Sequence, residues 1–254
     1  MRRHLLVLLT LASKIIVSCN AQDGIDRTSL DSFINSKADS LFKSQKVPGL
    51  FIGISVNGVR KYYNFGYADP DKRMPFDSAT IFEIGSITKT FTAYVLENVL
   101  QEKSISDSSS ILQYLPDSVQ QNKSLQSISF LSLLNHTSGL PRLPGNIELS
   151  GMAPYDHYTI AHLFTYLKSC TPQAAGHSSY SNLGAGLAGV LAQRISGKTY
   201  NELLSEYIFH PFKITPHPDE SLNGTVNKSQ GYFETVKADY WNADALAPAG
   251  TLKC

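Results

Sequence analysis

The chain has 254 residues, of which 42% are hydrophobic and 17% are charged, so it can bury a sizeable core and lacks the composition of a disordered protein. Its formal net charge of +1 gives no reason to expect nucleic acid or an anionic membrane surface as a partner. We therefore expect a globular protein with one large domain or two intertwined ones.

The first residues have the pattern of an export signal. Two arginines precede an apolar run that ends at Val17 and is too short for a transmembrane helix. In "IVSC", Cys19 has the position of the lipidated cysteine of a bacterial lipobox, and ordinary cleavage after Ala21 is an alternative. We predict a signal peptide at residues 1–21, a mature domain at residues 22–254, and a protein of the periplasm, the outer membrane or the secreted fraction.

The next segments predict a helix followed by a hairpin. Residues 29–46 have helically spaced apolar side chains, and a Val-Pro-Gly tripeptide ends that pattern. Two β-rich runs at residues 50–56 and 59–67 are separated by an Asn-Gly dipeptide, which is the strongest short hairpin signal.

The central part of the chain, from Ile81 to about His210, is mostly helical by pattern. A glycine at position 197 is expected to end one helix before the next begins. Predicted helices cover residues 83–100, 130–134, 158–167, 183–195 and 200–208.

The first of these helices begins with an unusual pair of polar residues. Ser86 and Lys89 are three positions apart, so both lie on one side of the first turn, beside the small Ala93. The apolar stripe is predicted to start at Ile87 and to continue through Phe91 and Val95, widened by Leu96, Val99 and Leu100. One interpretation is a capping serine with a solvated lysine. The other is a nucleophile with its activator, and the tetrad alone does not decide between them.

A second group of polar residues precedes the helix at residues 183–195. Tyr180, Ser181 and Asn182 are placed at a loop end, where side chains can project into a cleft. A phenol can pass a proton, and an amide offers both a donor and an acceptor. If this turn faces Ser86, Tyr180 can act as its base while Lys89 keeps the phenol partly ionised.

With these two groups of residues, the sequence resembles the serine β-lactamase and D,D-peptidase superfamily, specifically the class C branch with its esterase and D-aminopeptidase relatives. The resemblance runs from about residue 47 to residue 254 through "VPGL", "NGVRKYYNFGYAD", "FEIGSITKTFTA", "LLNHTSGLP", "YSNLGAGLAGVLAQRISGKTYNELL" and "DALAPAGTL". It implies that Ser86 is the acylated nucleophile, Lys89 its activator and Tyr180 the proton shuttle. Asn182 would bind the substrate's carbonyl or amide.

The resemblance also implies a fold and a function. The fold is α+β, with a helical subdomain beside an α/β sandwich that has an antiparallel sheet. The function is that of a cell-envelope serine hydrolase of the class C β-lactamase, D-Ala-D-Ala carboxypeptidase or esterase type. It would act through an acyl-enzyme on a peptide, ester or β-lactam carbonyl. The alternative is a non-catalytic envelope-binding protein, or an inactive truncated gene product, of the same fold.

The expected partners follow from the same resemblance. We expect a monomer with a small-molecule or peptide substrate, no cofactor, no metal and no nucleic acid. Contact with a membrane would run only through a lipid on Cys19.

Two features depart from the pattern of this family. Arg142 and Leu143 stand where class C β-lactamases carry a glutamine after the "TSGLP"-like segment, which argues against a specialised role in destroying antibiotics. The family's third motif, a Lys-Thr-Gly or His-x-Gly strand, lies well beyond "PAG", whereas Gly250 lies close to Cys254, the last residue here. We expect an incomplete sheet in a C-terminally truncated chain. These residues alone should have negligible hydrolytic activity and low solubility.

The remaining candidates are weaker. His136 in "NHTSG" has no G-x-S-x-G elbow beside it, so we do not expect it to be catalytic. His157 and His162 are five positions apart and would point to different helix faces, which makes a poor metal pair. Cys170 and Cys254 could form a disulfide in an exported protein, and the sequence leaves this open.

Overall fold

The computed structural model describes residues 27–45, 47–173, 176–214, 227–234 and 236–253. The predicted signal peptide with Cys19, and also Cys254, lie outside these residues. The chain forms two compact units, one ending at Phe65 and the other beginning at Gly66.

The N-terminal unit contains helix α1 (Arg27–Gln45) and the strands β1 (Gly49–Val56) and β2 (Val59–Gly66), which pair in a two-stranded sheet. Asn57 and Gly58 have φ values of 52° and 77°, and left-handed backbone at both positions is what a tight hairpin turn requires. The predicted helix and hairpin are therefore confirmed.

The second unit is mainly helical. A single turn of 3₁₀ helix at Gly85–Ile87 leads into α2, a π-helical turn at Ser205–Phe209 follows α7, and two short strands form an antiparallel pair. The elements are α2 (Thr88–Glu102), α3 (Asp117–Gln120), α4 (Phe130–Leu134), α5 (Ile160–Leu167), α6 (Asn182–Ser196), α7 (Tyr200–Leu204), α8 (His210–Phe212), β3 (Tyr232–Phe233), β4 (Val236–Lys237) and α9 (Ala247–Gly250). The predicted α+β class is confirmed, and both sheets of the described chain have two strands.

Helix α6 is the centre of the core of this unit, because residues 182–192 are all buried. The hydroxyl of Ser181 caps its first turn by accepting from the Gly184 N–H, and Gly197 ends it with a φ of 76°. A Cβ at Gly189 would lie 2.3 Å from Cγ of Pro248. The glycine therefore allows α9 to pack directly against α6.

The buried face of α2 contains the predicted Val95, Leu96, Val99 and Leu100 but differs from the prediction at its start. Ile87 was expected to start the apolar stripe, but its side chain is 60% exposed. Gly85 has a φ of 51°, which L-residues other than glycine seldom adopt, so the chain turns tightly there and the α-helix begins only at Thr88. Thr88 and Thr92 are buried instead of Ile87.

Hydrogen bonds satisfy these two buried hydroxyls. The Thr92 hydroxyl lies 2.6 Å from the Tyr200 hydroxyl and 2.7 Å from the Pro248 carbonyl oxygen. The backbone N–H of Leu252 donates to the Thr88 hydroxyl. A buried hydroxyl that has a hydrogen-bond partner avoids most of the desolvation cost of an unpaired one. The Thr88 and Thr92 hydroxyls can therefore help to hold the C-terminal segment with α9 against α2.

Across the described residues, no helix combines the length and apolarity needed to cross a membrane.

Candidate active site

The structure brings Ser86, Lys89 and Tyr180 together. The Tyr180 hydroxyl lies 2.6 Å from Oγ of Ser86, and Nζ of Lys89 donates to the same Oγ at 3.1 Å. The serine side chain thus has a phenol on one side and an ammonium on the other. The condition set by the sequence, that the Tyr180 turn face the Ser86 helix, is met. Ser86 does not cap α2, because its hydroxyl bonds to these two side chains.

A backbone carbonyl from α9 holds Lys89 in place. Nζ of Lys89 donates to the carbonyl oxygen of Ala249 at 2.5 Å and lies 4.8 Å from the centroid of the Tyr180 ring. The side chain is half-buried. The ammonium is therefore fixed between the Ser86 hydroxyl, the phenol and α9. Apart from its position in "PAG", no feature of the sequence indicated a role for the Ala249 carbonyl.

The environment of Tyr180 lowers the pKa of its phenol. Burial alone would raise this pKa, but the hydrogen bonds with Lys89 and Ser86 and the charges of Lys89 and Arg142 favour the phenolate and outweigh it. The Arg142 guanidinium lies 5.1 Å from the ring centroid. A lowered phenol pKa brings Tyr180 closer to the range in which a base works efficiently near neutral pH.

The loop that carries Tyr180 is hydrogen-bonded to the segment at residues 136–142. The N–H of Ser179 donates to the His136 carbonyl at 2.7 Å, and the N–H of Asn182 donates to the Arg142 carbonyl at 2.9 Å. The Ser181 hydroxyl donates to the carbonyl of Pro141. Two further bonds join Gly176 to Thr137 and Gln173 to Gly139. The Tyr180 loop is thus positioned by main-chain pairing along its length.

His136 also contacts Tyr180 directly. Its ring centroid lies 4.7 Å from that of Tyr180, and its Nδ1 accepts from the Ser181 N–H at 3.2 Å. Burial, together with the nearby charge of Lys89, lowers the pKa of the imidazole. Within the described residues no hydrogen bond joins His136 to Ser86.

A cleft of about 320 Å³ opens beside Ser86. Its charged residues are Glu83 and Arg142, and Asn182 lies in its wall as the first residue of α6. The rings of Tyr155 and Trp241 pack edge to face at 4.9 Å. The complete lining is Glu83, Gly85, Ser86, Arg142, Tyr155, Asn182, Trp241, Leu246, Ala249, Gly250 and Thr251. The two aromatic residues had no signal in the sequence, because neither belongs to a periodic pattern or a motif.

The other residues considered from the sequence lie away from the cleft. His162 is in α5, where its Nδ1 is paired with the capping residue Thr159. The structure offers no group of three His, Cys, Asp or Glu side chains that could hold a metal ion, as far as the described residues extend. Cys170 is buried, and burial raises the pKa of its thiol. Its pairing with Cys254 concerns a residue outside the described part.

Comparison with known proteins places the chain in a family. The family model described as Beta-lactamase matches residues 33–250. The chain belongs to the β-lactamase family. Among similar relatives, the β-lactamase of Providencia stuartii is 27% identical over 216 residues, covering 82% of this chain and 52% of that protein. The β-lactamase of Escherichia coli K12 is 27% identical over 233 residues, covering 88% of this chain and 59% of that protein.

Solved structures of β-lactamases have the same fold. A class C β-lactamase matches with a TM-score of 0.74 and 27% identity, covering 91% of this chain and 62% of the other. The class C β-lactamase of Rhodobacter sphaeroides matches with a TM-score of 0.71 and 22% identity, covering 86% of this chain and 60% of the other. This β-lactamase-family chain spans roughly half to three fifths of the length of the relatives it matches.

Proposed function

We propose that this β-lactamase-family protein is a serine hydrolase that works through an acyl-enzyme on Ser86. The observation that carries the proposal is the position of the Ser86 hydroxyl, 2.6 Å from the Tyr180 phenol and 3.1 Å from the Lys89 ammonium at the wall of a cleft. A hydroxyl is a weak nucleophile until a neighbouring base takes its proton. Here two groups stand close enough to help with that step.

In the proposed acylation, Tyr180 as phenolate accepts the proton of Ser86 while Oγ attacks the substrate's carbonyl carbon. Lys89 stabilises the phenolate before transfer and the serine oxygen during it. The N-terminus of α2 carries a positive partial charge that favours the negative charge developing on the carbonyl oxygen. Tyr180 then gives its proton to the leaving nitrogen or oxygen, the bond to the leaving group breaks, and Ser86 remains acylated.

Deacylation repeats these steps with water. Tyr180, again a phenolate once the leaving group has taken its proton, accepts a proton from a water that attacks the acyl carbon. The ester bond to Oγ breaks, and Tyr180 returns the proton to Ser86. The same three residues therefore serve both half-reactions. Water must then reach the acyl carbon, either after a peptide or ester leaving group departs or, for a β-lactam, beside the amine that stays attached to the acyl group.

The proposed substrates carry a peptide, ester or β-lactam carbonyl, so the enzyme is of the β-lactamase, D-Ala-D-Ala carboxypeptidase or esterase type. Asn182 at the cleft wall supports an amide-bearing substrate, because its side chain offers both a donor and an acceptor. The Arg142 guanidinium in the same wall supports an acyl group with an oxygen acceptor. Nitrocefin, a D-Ala peptide and a D-Ala ester compared on one preparation would rank the three types.

We predict that a fluorescent penicillin or a fluorophosphonate labels Ser86 in the full-length protein. Mass spectrometry of the digested product should place the label on the peptide that contains Ser86. Ser86→Ala should abolish labelling because it removes the hydroxyl that Tyr180 and Lys89 contact. Ser108→Ala, which removes an exposed hydroxyl outside the cleft, is the matched control and should label normally. Label that survives Ser86→Ala would sink the proposal. Reversible penicillin binding without covalent label would favour the non-catalytic alternative.

We also propose that the protein is exported, on the strength of the arginines and the apolar run at its N-terminus. If "IVSC" is a lipobox, N-terminal mass spectrometry of the exported protein should find a lipidated Cys19 as the first residue, and the protein should partition into detergent. A mature form that begins at Gln22 would exclude the lipid anchor and indicate a soluble secreted protein.

A further inference from the structure

His136 makes three contacts with the loop that carries Tyr180. Its ring packs on the phenol ring at 4.7 Å between centroids, its Nδ1 accepts from the Ser181 N–H at 3.2 Å, and its carbonyl accepts from the Ser179 N–H at 2.7 Å. These contacts fall on Tyr180 and on both residues beside it. The imidazole and the carbonyl of His136 therefore hold Ser179, Tyr180 and Ser181 in place, and with them the Tyr180 phenol.

The backbone of His136 is in an uncommon conformation that makes this possible. Its φ is 63°, in the left-handed region that residues other than glycine seldom occupy. Residues held there generally mark sites where the surrounding structure requires the strained geometry. Here the left-handed turn lets the carbonyl and the imidazole of one residue face the same loop.

A direct catalytic role does not fit the contacts. Nδ1 is used by the Ser181 N–H, so the neutral ring carries its proton on Nε2. The Ser86 oxygen bonds to Tyr180 and Lys89, and the described chain contains no bond from it to the imidazole. The direct contact of His136 with a group bonded to Ser86 is the one with Tyr180, so the contacts point to an effect through Tyr180.

We infer that His136 is a positioning residue, whose neutral imidazole holds the Tyr180 phenol in hydrogen-bond contact with Ser86. This inference rests on the proposed function of Tyr180 as the base. The groups that face the imidazole are the Tyr180 phenol and the Lys89 ammonium, and Arg142 packs on the same phenol ring. Protonated histidine has donors on both nitrogens, so it would turn a donor toward the Ser181 N–H and lose the bond.

The inference has a consequence for pH dependence. Burial and Lys89 lower the pKa of His136, so the imidazole is neutral at neutral pH and the bond to Ser181 is intact. Below the Tyr180 pKa, loss of the phenolate alone makes the logarithm of the acylation rate fall with a slope of about one. Below the His136 pKa, protonation of Nδ1 also breaks its bond with the Ser181 N–H. The rate then depends on two protonations, and the slope should approach about two.

Two substitutions of His136 distinguish the effect of its hydrogen-bond acceptor, Nδ1, from the effect of its aromatic ring. His136→Asn places an amide oxygen near the position of Nδ1 and tolerates a left-handed backbone. We expect it to acylate Ser86 at close to the wild-type rate at mildly alkaline pH and to keep the slope of about one throughout the acid limb. His136→Phe keeps an aromatic ring but has no acceptor. We expect it to lower the acylation rate constant, with little change in apparent affinity, by roughly 10- to 100-fold, the scale of a small misplacement of a catalytic group.

A second measurement does not depend on activity. NMR of tyrosine labelled at Cζ, with the Tyr180 signal identified by its loss in Tyr180→Phe, reports the Tyr180 pKa. His136→Phe should raise this pKa, because a displaced phenol loses its contact with Lys89, whereas His136→Asn should leave it close to the wild-type value. If wild-type protein is not labelled at Ser86, the proposed function fails, and the Tyr180 pKa still decides the role of His136. An unchanged Tyr180 pKa in His136→Phe overturns the inference. The inference is also overturned if His136→Phe and His136→Asn lose the same acylation rate and the same thermal stability.

Discussion

Lys89→Met is expected to slow the acylation of Ser86 by roughly 10²- to 10³-fold, the contribution typical of one donor that stabilises charge in the transition state. Lys89 Nζ donates to the Ser86 hydroxyl at 3.1 Å and to the Ala249 carbonyl at 2.5 Å, and methionine can do neither. Methionine is unbranched and of similar length, so the packing of the half-buried stem should be retained. The effect should therefore appear in the acylation rate more than in the stability of the fold.

The pH dependence of this variant has a definite sign. The bond and the charge of Lys89 lower the pKa of Tyr180, so their removal raises it. Because the phenolate is the form that accepts the serine proton in the proposed mechanism, the rising limb of the acylation profile should move to higher pH. The loss of rate should then be larger at neutral pH than in alkaline solution. Rates of fluorophosphonate labelling across the pH range would measure both effects.

Lys103→Met is the matched control. It removes the same charge from an exposed lysine at the opposite end of α2, where the helix stops. Its labelling rate and pH profile should equal those of the wild-type protein. Equal slowing in both variants, or a Lys89→Met profile with an unmoved rising limb, would contradict the role given to Lys89.

Local signals in the sequence predicted the elements that local chemistry determines. The Asn57-Gly58 turn requires left-handed backbone at both positions, which these residues supply more readily than others, and the hairpin is present. Helix α6 was predicted at residues 183–195 and spans Asn182–Ser196. A capping serine and a left-handed glycine mark its two ends within the sequence itself.

Periodicity predicted the later turns of the buried face of α2, but the start of this face could not be predicted in the same way. Periodicity assigned Ile87 to the core, yet the helix buries Thr88 and Thr92. The partners that make a buried Thr92 tolerable are Tyr200 and Pro248, which are 108 and 156 positions away. Amphipathic patterns count polar residues as exposed, and they contain no information about hydrogen-bond partners so distant in sequence.

The site, too, could be predicted only where its residues are close in the sequence. Ser86 and Lys89 share one helical turn, so their proximity follows from spacing alone, whereas Tyr180 meets Ser86 across 94 positions. The prediction of that meeting needed either the fold or the resemblance to a family. His136 was set aside because no nucleophile elbow accompanies it. Its contacts with the Tyr180 loop depend on a positive φ and a backbone N–H, which no motif records.

Gly139→Ala is expected to destabilise the protein by about 2–5 kcal/mol and to slow acylation of Ser86. Gly139 has a φ of 73°, where an L-residue costs about 1–2 kcal/mol. An added Cβ would also lie 2.4 Å from the carbonyl oxygen of Gln173, and crowding of a packed interior typically costs about 1–3 kcal/mol more. To relieve that contact, Gln173 must move. Its N–H donates to the Gly139 carbonyl, which is one of the main-chain hydrogen bonds that position the Tyr180 loop.

Gly197→Ala separates the two costs. Gly197 has a φ of 76° at the end of α6, but nothing lies within 4 Å of an added Cβ there. This variant should lose only about 1–2 kcal/mol, the cost of the left-handed conformation, and should acylate normally because its site is untouched. Urea unfolding with linear extrapolation gives the free energy of unfolding of each variant, and labelling of the folded protein gives the acylation rate. If the two alanine variants lose equal stability, the contact with Gln173 is relieved at no cost. If Gly139→Ala is destabilised but acylates at the wild-type rate, the segment at residues 136–142 does not position Tyr180.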